Sequence, residues 1–283
     1  MGRWSGLVAE EFLTHIPVRE RGAWLDVGCG TGELLGAVLR LRHPESVVGI
    51  DSSPDFVDAA RRRWRGFTEV AVFAVGSAQQ LPYPAASFDG VASGLTLNFV
   101  PEPQAALAEM ARVARPGATV GAYLWDYDYA DFFLARYWAA AEQVLGRRAA
   151  GDERHRWPVC SPQGLTRLIS NQARLTNVDV FPLTTTTVFA DTAELWDSFS
   201  LSVGPAGTVM GTLDHGQRQA VRAALEERLP VASDGSVHLA ARAWAFAATA
   251  IEGGGARPRV NDRAHGGSQP PSTRTLTLRR PCR

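Results

Sequence analysis

The 283-residue chain contains no lysine, so its 29 basic residues are all arginine, and they balance 29 acidic residues. A neutral chain lacks the basic footprint of nucleic-acid-binding proteins. Cysteine is scarce as well, and Cys29, Cys160 and Cys282 form neither an even disulfide framework nor a metal-ligand spacing. No run of 18 apolar residues and no signal-peptide pattern is present. We therefore expect a cytoplasmic protein without a membrane span or a metal, and the exclusive use of arginine indicates a GC-rich bacterial genome.

The most informative motif is a glycine-rich turn between a short apolar segment and a helical pattern. Its glycines are Gly28, Gly30 and Gly32, with the spacing G-x-G-x-G rather than the G-x-G-x-x-G of dinucleotide-binding enzymes. Glycine lets the backbone turn sharply and lets a ligand approach the main chain. Asp26 and Glu33 flank the turn, and their negative charge disfavours a phosphate and favours a ligand that carries positive charge.

A second acidic position follows at a fixed distance. The apolar segment 46–50 ends in Asp51, which lies 23 residues after Gly28. A carboxylate at a strand end about 20 residues past a glycine loop typically accepts hydrogen bonds from the two hydroxyls of a ribose. The sequence therefore predicts a nucleoside-binding site at the ends of two neighbouring strands.

With the glycine loop, its flanking acids and Asp51, the chain resembles the class I S-adenosylmethionine-dependent methyltransferases. Within them it is similar to the group that includes quinone, sterol and natural-product methyltransferases, over about the first 125 positions. The resemblance implies S-adenosylmethionine as the cofactor and in-line methyl transfer to a small molecule. The segment Asn98-Phe99-Val100-Pro101 lacks the Asn-Pro-Pro-Tyr type of motif of amine methyltransferases, so methylation of oxygen or carbon is favoured over nitrogen.

Strand and helix patterns alternate through the first 125 residues, which predicts an α/β fold with helices on both faces of an open sheet. A helix is expected over 105–115, ended by Arg115-Pro116-Gly117, and a fifth strand over 118–125. The family resemblance adds a Rossmann-like sheet of seven mostly parallel strands with an antiparallel last strand. The alternating apolar pattern at 237–247 fits that last strand.

In the second half of the chain, the segment between the predicted sixth and seventh strands is longer than a simple loop. Residues of about 190–232 have mostly helical patterns between the sixth and seventh strands, and we expect this insertion to cap the active site together with the region of Tyr137. One methyltransferase domain is therefore predicted over 1–251. Residues 252–283 carry seven arginines and two acids and lack periodicity, which predicts a disordered basic tail.

The family resemblance and the predicted strand ends assign a set of residues to the cofactor. The set comprises Asp26, Gly28, Cys29, Gly30, Asp51, Ser52, Ser77, Ala78, Gln79, Ser93, Arg3 and Trp4. Ser77 stands where the family commonly has an aspartate that reaches the adenine amino group. A hydroxyl accepts the same hydrogen bond without charge assistance, which makes it roughly half as strong. Arg3 is expected to pair with the carboxylate of the methionine moiety.

A hydroxyl or carbon acceptor also needs a group that removes its proton. The candidates for this role follow the predicted fourth and fifth strands and are Asn98, Asp126, Tyr127, Asp128, Tyr129 and, on the next loop, His155. Of these, we assign Asp126, Asn98 and His155 as the catalytic residues. Three other functions stay open at this point. They are cofactor binding without catalysis, methylation of RNA, and an NAD-dependent oxidoreductase. The glycine spacing and the lack of a Tyr-x-x-x-Lys pair count against the oxidoreductase, and the acidic folded part counts against RNA.

Overall fold

The computed structural model describes residues 2–17, 21–154, 156–200, 204–252 and 260–262, and of residues 3, 200 and 260–262 only the backbone. The helices are α1 (Gly2–His15), α2 (Glu33–Arg42), α3 (Pro54–Arg63), α4 (Pro103–Val113), α5 (Phe133–Leu145), α6 (Pro162–Ser170), α7 (Thr192–Ser200), α8 (Gly204–Thr212) and α9 (His215–Glu226). The strands are β1 (Ala23–Val27), β2 (Ser46–Asp51), β3 (Ala71–Val75), β4 (Phe88–Gly94), β5 (Ala114–Trp125), β6 (Leu175–Phe189), β7 (Val237–Ala250) and β8 (Val260–Asp262).

The strands form one sheet in the order β3-β2-β1-β4-β5-β7-β6-β8. Strands β1 to β5 are mutually parallel, whereas β7 lies between β5 and β6 and is antiparallel to both. The predicted seven-stranded, mostly parallel arrangement with an antiparallel seventh strand is thus confirmed. Strands β2 and β3 are added on one side of β1, and β4 and β5 on the other, so the strand order reverses between β1 and β4. Ligands of open α/β sheets bind in the crevice outside the carboxyl ends of the strands at such a point.

The parallel strands are buried almost continuously, as expected where helices cover both faces of a sheet. Trp24, Leu25 and Val27 of β1 are each at most 1% exposed. Helix starts follow local signals in the sequence. The hydroxyl of Ser53 accepts from the amide of Phe56 at the start of α3, and that of Ser161 accepts from the amide of Gly164 at the start of α6. The first cap fixes where the chain turns from β2 into α3, and the second fixes where α6 begins after the loop that follows α5.

The boundary between α4 and β5 differs from the prediction. The helix ends at Val113 rather than at Arg115, because Ala114 already has an extended backbone with φ −74° and ψ 137°. The Arg115-Pro116-Gly117 segment lies inside β5, where the register against β4 shifts between Phe88 and Gly90. Proline and glycine here accompany an irregular strand start and do not form the end of the helix.

The predicted helical insertion is present as α7, α8 and α9. It packs on α5, where the ring of Phe199 lies 4.5 Å from that of Tyr137 and 5.9 Å from that of Phe133. Asp214 and Gln217 form a reciprocal capping box at the start of α9. The structure therefore places the insertion beside the region of Tyr137, as expected.

Most of the segment predicted to be disordered, 253–259 and 263–283, lies outside the described residues. Within it, the structure assigns a strand to Val260–Asp262, parallel to β6, where the sequence indicates none. In the part of the chain that the structure describes, none of the helices combines the length and the apolar character needed to cross a bilayer.

Candidate active site

The glycine turn after β1 is fixed by backbone hydrogen bonds to the end of β2. The amides of Gly28 and Cys29 both donate to the carbonyl of Ile50, at 2.8 and 3.0 Å. Gly28 has φ +73°, and a Cβ built on it would lie 2.1 Å from Cγ2 of Thr96. Only glycine fits this position, because a side chain would be strained and would also collide with the loop after β4.

Asp51 at the end of β2 holds the turn from the other side. Its Oδ2 accepts from the amide of Gly30 at 2.9 Å, and its Oδ1 accepts from the amide of Ser53 at 2.9 Å. Each carboxylate oxygen can accept a further hydrogen bond, so the group can still bind two hydroxyls. The geometry that orients Asp51 therefore also leaves it able to hold a ribose.

A cavity of about 760 Å³ opens at the carboxyl ends of the parallel strands. It is lined by Ser5, Asp26, Gly28, Cys29, Gly30, Thr31, Glu33, Leu34, Ile50, Asp51, Ser52, Ser53, Phe56, Gly76, Ser77, Ala78, Gln79, Gly94, Leu95, Thr96, Phe99, Val100, Pro101 and Tyr123. Nine of the twelve predicted cofactor residues are in this set. None of the described residues that line it comes from α7, α8 or α9, so the capping role of the insertion stays a prediction.

Asp26, at the bottom of the cavity, has one oxygen without a partner. Its Oδ2 accepts from the amide of Leu35 at 3.0 Å, whereas its Oδ1 is buried and makes no hydrogen bond to any described residue. Burial raises the pKa of Asp26 to about 7; the amide of Leu35 lowers this pKa and the charge of Asp51 raises it. An unpaired acceptor in a ligand cavity fits a cationic donor, such as the ammonium of an amino acid.

We predict that cofactor affinity depends on pH through Asp26. A cation prefers the ionised carboxylate, so affinity for S-adenosylmethionine should rise between about pH 5.5 and about pH 7.5, by up to roughly tenfold per pH unit below the pKa. In Asp26→Asn, the amide oxygen can still accept from Leu35 and no longer titrates, so the affinity should be lower and flat with pH. Calorimetric titrations across this range test the prediction, and a flat affinity in the wild type would refute it.

The same raised pKa has an opposite consequence for stability. The folded protein holds the Asp26 proton more tightly than the unfolded chain does, so this contribution to stability is full below about pH 4 and is lost as the pH rises through about 7. Cofactor binding and fold stability therefore respond in opposite directions to ionisation of this one group.

Glu33, the second acid beside the glycine turn, is already paired. Both of its oxygens accept from the guanidinium of Arg63, whose Nη2 lies 3.1 Å from Oε2. The indole of Trp64 donates to the carbonyl of Thr31 at 3.2 Å and fills the space over Gly32. The end of α3 thus clamps the turn, and the unpaired negative charge at the ligand site comes from Asp26 and Asp51 rather than from Glu33.

The loop after β3 forms the wall where the sequence predicts adenine. The hydroxyl of Ser77 accepts from the amide of Gln79 at 3.2 Å, which makes a local turn. The far end of this loop is tied to α4, because Glu109 accepts from the amide of Leu81 at 2.8 Å and Arg112 donates to the carbonyl of Leu81. Ser77, Ala78 and Gln79 therefore line the cavity in a fixed loop.

Two predicted cofactor residues are placed elsewhere by the structure. Trp4 is 5% exposed and packs against Phe133 and Phe189 in the core, and Ser5 is the residue of α1 that lines the cavity. Ser93 is fully buried and donates to the carbonyl of Val27 at 2.8 Å, which joins β4 to β1. Both predictions were wrong by one position along an element, because the neighbouring residue faces the cavity.

Asp126, predicted as a catalytic residue, is held in a partly buried ion pair. Its Oδ2 lies 2.7 Å from Nη2 of Arg242 and accepts from the indole of Trp244 at 2.9 Å. Its Oδ1 accepts from the amide of Asp128 at 3.1 Å. The carboxylate therefore joins the end of β5 to β7 and does not reach the cavity. His155 and the side chain of Arg3 lie outside the described residues.

Other residues at the site were missed from the sequence. Thr96 donates to the carbonyls of Gly28 and Gly94, at 2.9 and 3.0 Å, and so joins the glycine turn to the loop after β4. Tyr123 of β5 lines the cavity beneath that loop.

Burial of the thiol raises the pKa of Cys29, so this cysteine stays protonated and serves as a small packing residue.

The chain matches a family model described as a methyltransferase domain over residues 25–121. It is 39% identical over 151 residues to a 37.1 kDa protein of transposon TN4556 from Streptomyces fradiae, described as uncharacterised; the match covers 49% of this chain and 44% of that protein. It is also 39% identical over 99 residues to a demethylmenaquinone methyltransferase of Roseiflexus sp., covering 35% of this chain and 41% of the relative. The chain thus spans less than half the length of these relatives.

Among solved structures, the fold resembles that of the YcgJ protein from a Bacillus species. The TM-score is 0.55 at 14% sequence identity, with 87% of this chain and 99% of that chain covered. At this identity the likeness concerns the fold alone. The two comparisons agree on the same part of the chain: residues 25–121 match a methyltransferase domain, and they form part of a sheet with the fold of that solved structure.

Proposed function

We propose that the protein transfers a methyl group from S-adenosylmethionine to the oxygen or carbon of a small, largely apolar molecule. The observation that carries the proposal is that one cavity contains two carboxylates with different hydrogen-bond environments. Asp51 is oriented by two backbone amides toward a ribose, and Asp26 offers an unpaired buried oxygen to a cation. These two sites match the ribose and the amino-acid end of the cofactor.

When bound, S-adenosylmethionine supplies a methyl group already activated as a sulfonium, so the protein mainly has to position the reactants and exclude water. Phe99, Val100 and Pro101 give the cavity an apolar side after β4. Phe99 and Phe56 are 59% and 52% exposed, which is unusual for large apolar side chains that flank a polar site. An apolar acceptor would cover them, and the quinone named in the Roseiflexus relative is of this kind.

Calorimetric titration with S-adenosylmethionine and S-adenosylhomocysteine tests the proposal first. We expect micromolar binding by the wild type and at least tenfold weaker binding by Asp51→Ala, because that change removes the ribose acceptor and the anchor of the Gly30 amide. Asp58→Ala is the matched control, since Asp58 is an exposed acid of α3 whose ion-pair partner among the described residues is Arg61, at 3.1 Å. This control should bind like the wild type.

The outcomes separate the remaining functions. Wild-type protein that does not bind S-adenosylmethionine would overturn the proposal, and titration with NAD would then test the oxidoreductase. Binding followed by transfer of a radiolabelled methyl group to phenols or hydroquinones would support it. Binding with label transferred to RNA but to none of the small molecules would contradict the proposed acceptor class.

A further inference from the structure

A second group of polar side chains lies beside the cavity, at the same edge of the sheet. Asn98 follows β4 and Tyr127 follows β5, and the two strands are parallel neighbours, so the loops after them lie together. Glu153 comes from the segment between α5 and α6. These three residues are 8%, 5% and 3% exposed, respectively. They are buried polar groups outside the cofactor contacts described above.

An aromatic path connects this group to the cavity. The ring of Phe99, which lines the cavity, lies 5.2 Å from that of Trp157. The Trp157 ring in turn lies 5.0 Å from that of Tyr127. The first pair is edge-to-face and the second is tilted, and the Arg156 guanidinium lies 4.9 Å from the centroid of the Trp157 ring. Aromatic rings in such arrangements offer apolar edges and faces against which a planar molecule can pack. The path therefore leads from the methyl-donor cavity to the polar group.

The polar groups are incompletely satisfied, which is unusual for buried atoms. The side-chain amide nitrogen of Asn98 makes no hydrogen bond within the described part of the chain. Glu153 is oriented by the indole of Trp138, whose Nε1 donates to Oε2 at 2.9 Å. The Asn98 side chain also lies close enough to the Tyr127 hydroxyl to lower the pKa of Tyr127. An amide donor beside a buried tyrosine, together with an oriented carboxylate, supplies the components needed to bind a hydroxyl and accept its proton.

Because it names the acceptor site of the proposed methyltransferase, this inference rests on the function proposed above. We propose that Asn98, Tyr127 and Glu153 bind and deprotonate an aromatic hydroxyl of the acceptor. The Asn98 amide donates to the acceptor oxygen, the Tyr127 oxygen takes the acceptor proton, and the Tyr127 hydroxyl passes its own proton to the carboxylate of Glu153. The O–H bond of the acceptor breaks, and its electron pair attacks the methyl carbon, either from oxygen or from the conjugated ring carbon.

The electron pair of the broken sulfur–methyl bond stays on sulfur, and the released proton stays on Glu153. After attack from a ring carbon, the proton on that carbon moves to the ring oxygen, which restores the aromatic hydroxyl. Methylation at oxygen or at ring carbon therefore begins with the same proton loss.

The charges around Glu153 are consistent with this role. Burial raises the pKa of Glu153 to about 7, the indole of Trp138 and the charge of Arg156 lower this pKa, and Asp152 raises it. Burial also raises the pKa of Tyr127, as do the charge of Glu153 and the neighbouring Cys160, whereas the Asn98 side chain and the charge of Arg156 lower it. Tyr127 thus keeps its proton and can act as a relay, and Glu153 exchanges a proton near neutral pH, where a general base is most effective.

A photoacid probe, 2-naphthol, tests the assignment without knowledge of the natural acceptor. On excitation, 2-naphthol gives its proton to a neighbouring base and then emits as the naphtholate. We expect the probe bound to S-adenosylhomocysteine-loaded wild type at about pH 8 to emit as the naphtholate. In Glu153→Gln it should emit mainly as the neutral form, with the naphtholate share reduced at least tenfold. Asn98→Ala should weaken probe binding about tenfold, by loss of one hydrogen bond to the hydroxyl.

The matched control is Glu142→Gln, which removes a half-exposed carboxylate that pairs with Arg154 at 2.6 Å in the same region. Its probe emission should equal that of the wild type. Equal naphtholate emission from the Glu153→Gln variant, or a wild type that does not bind 2-naphthol, would overturn the assignment. Calorimetry with S-adenosylmethionine on the same proteins keeps the two proposals apart, because Glu153→Gln should bind the cofactor normally.

Discussion

Replacing Gly28 with alanine is expected to lower the free energy of unfolding by roughly 2–5 kcal/mol and to abolish cofactor binding. Two costs add at this position. The backbone has φ +73°, which penalises any side chain, and the new Cβ would lie 2.1 Å from Cγ2 of Thr96. Relief of the collision would move the loop after β4, which forms one wall of the cavity.

Gly30→Ala separates these two costs. Gly30 also has a positive φ, of +51°, but a Cβ built there meets no heavy atom within 4 Å. Its loss of stability should therefore stay near the conformational cost alone, about 1–2 kcal/mol. Urea unfolding of the two variants gives the comparison, and equal losses would show that Thr96 does not constrain the turn.

Asp126→Ala is the second change with a large expected effect, on stability rather than on chemistry. Removing the carboxylate leaves the Arg242 guanidinium and the Trp244 indole without their shared acceptor. The Asp126 side chain is 7% exposed and that of Arg242 is 34% exposed. We expect a loss of about 2–4 kcal/mol, toward the lower end of the range for broken buried pairs because Arg242 is partly hydrated. Urea unfolding measures this loss.

Asp126→Asn distinguishes the structural role from the catalytic one. The amide oxygen can still accept from Arg242 and Trp244, so the loss of stability should be smaller, about 1–2 kcal/mol, and cofactor affinity should not change. A variant that is stable and binds the cofactor, yet no longer transfers methyl groups, would instead restore Asp126 as a catalytic residue.

The cofactor side of the site was predictable because its signals are local. The glycines have positive φ values that other residues rarely adopt, and Asp51 lies at a strand end at a distance fixed by one strand–helix–strand unit. The topology followed from the alternation of strands and helices and from the resemblance to a known family. The glycine turn and Asp51 lie within about 30 positions of each other, and each strand or helix of the alternation is indicated by its own short segment.

The surroundings of the other site residues depend on contacts between distant parts of the chain. Asp126 is neutralised by residues 116 and 118 positions further on, which no local pattern reveals. Ser93 and Trp4 were assigned to the cavity on approximate position, but a shift of one residue along a strand or a helix turns a side chain away. The role proposed for Glu153 has no sequence signal, because it rests on burial and on the hydrogen bond from Trp138, and nothing in the surrounding sequence indicates either.

The place of β7 between β5 and β6 has a consequence for folding during synthesis. Strand β6 pairs with β7 over nearly its whole length, yet residues 190–236 are translated between the two. At a translation rate of about 5–20 residues per second, β6 is synthesised several seconds before β7. During this time its backbone hydrogen-bonding groups are unpaired and can bond to other chains. Its threonine run, 184–187, limits the apolar surface that it shows meanwhile. The same arrangement makes joining of β6 to the sheet a late, long-range event that cannot precede translation of β7.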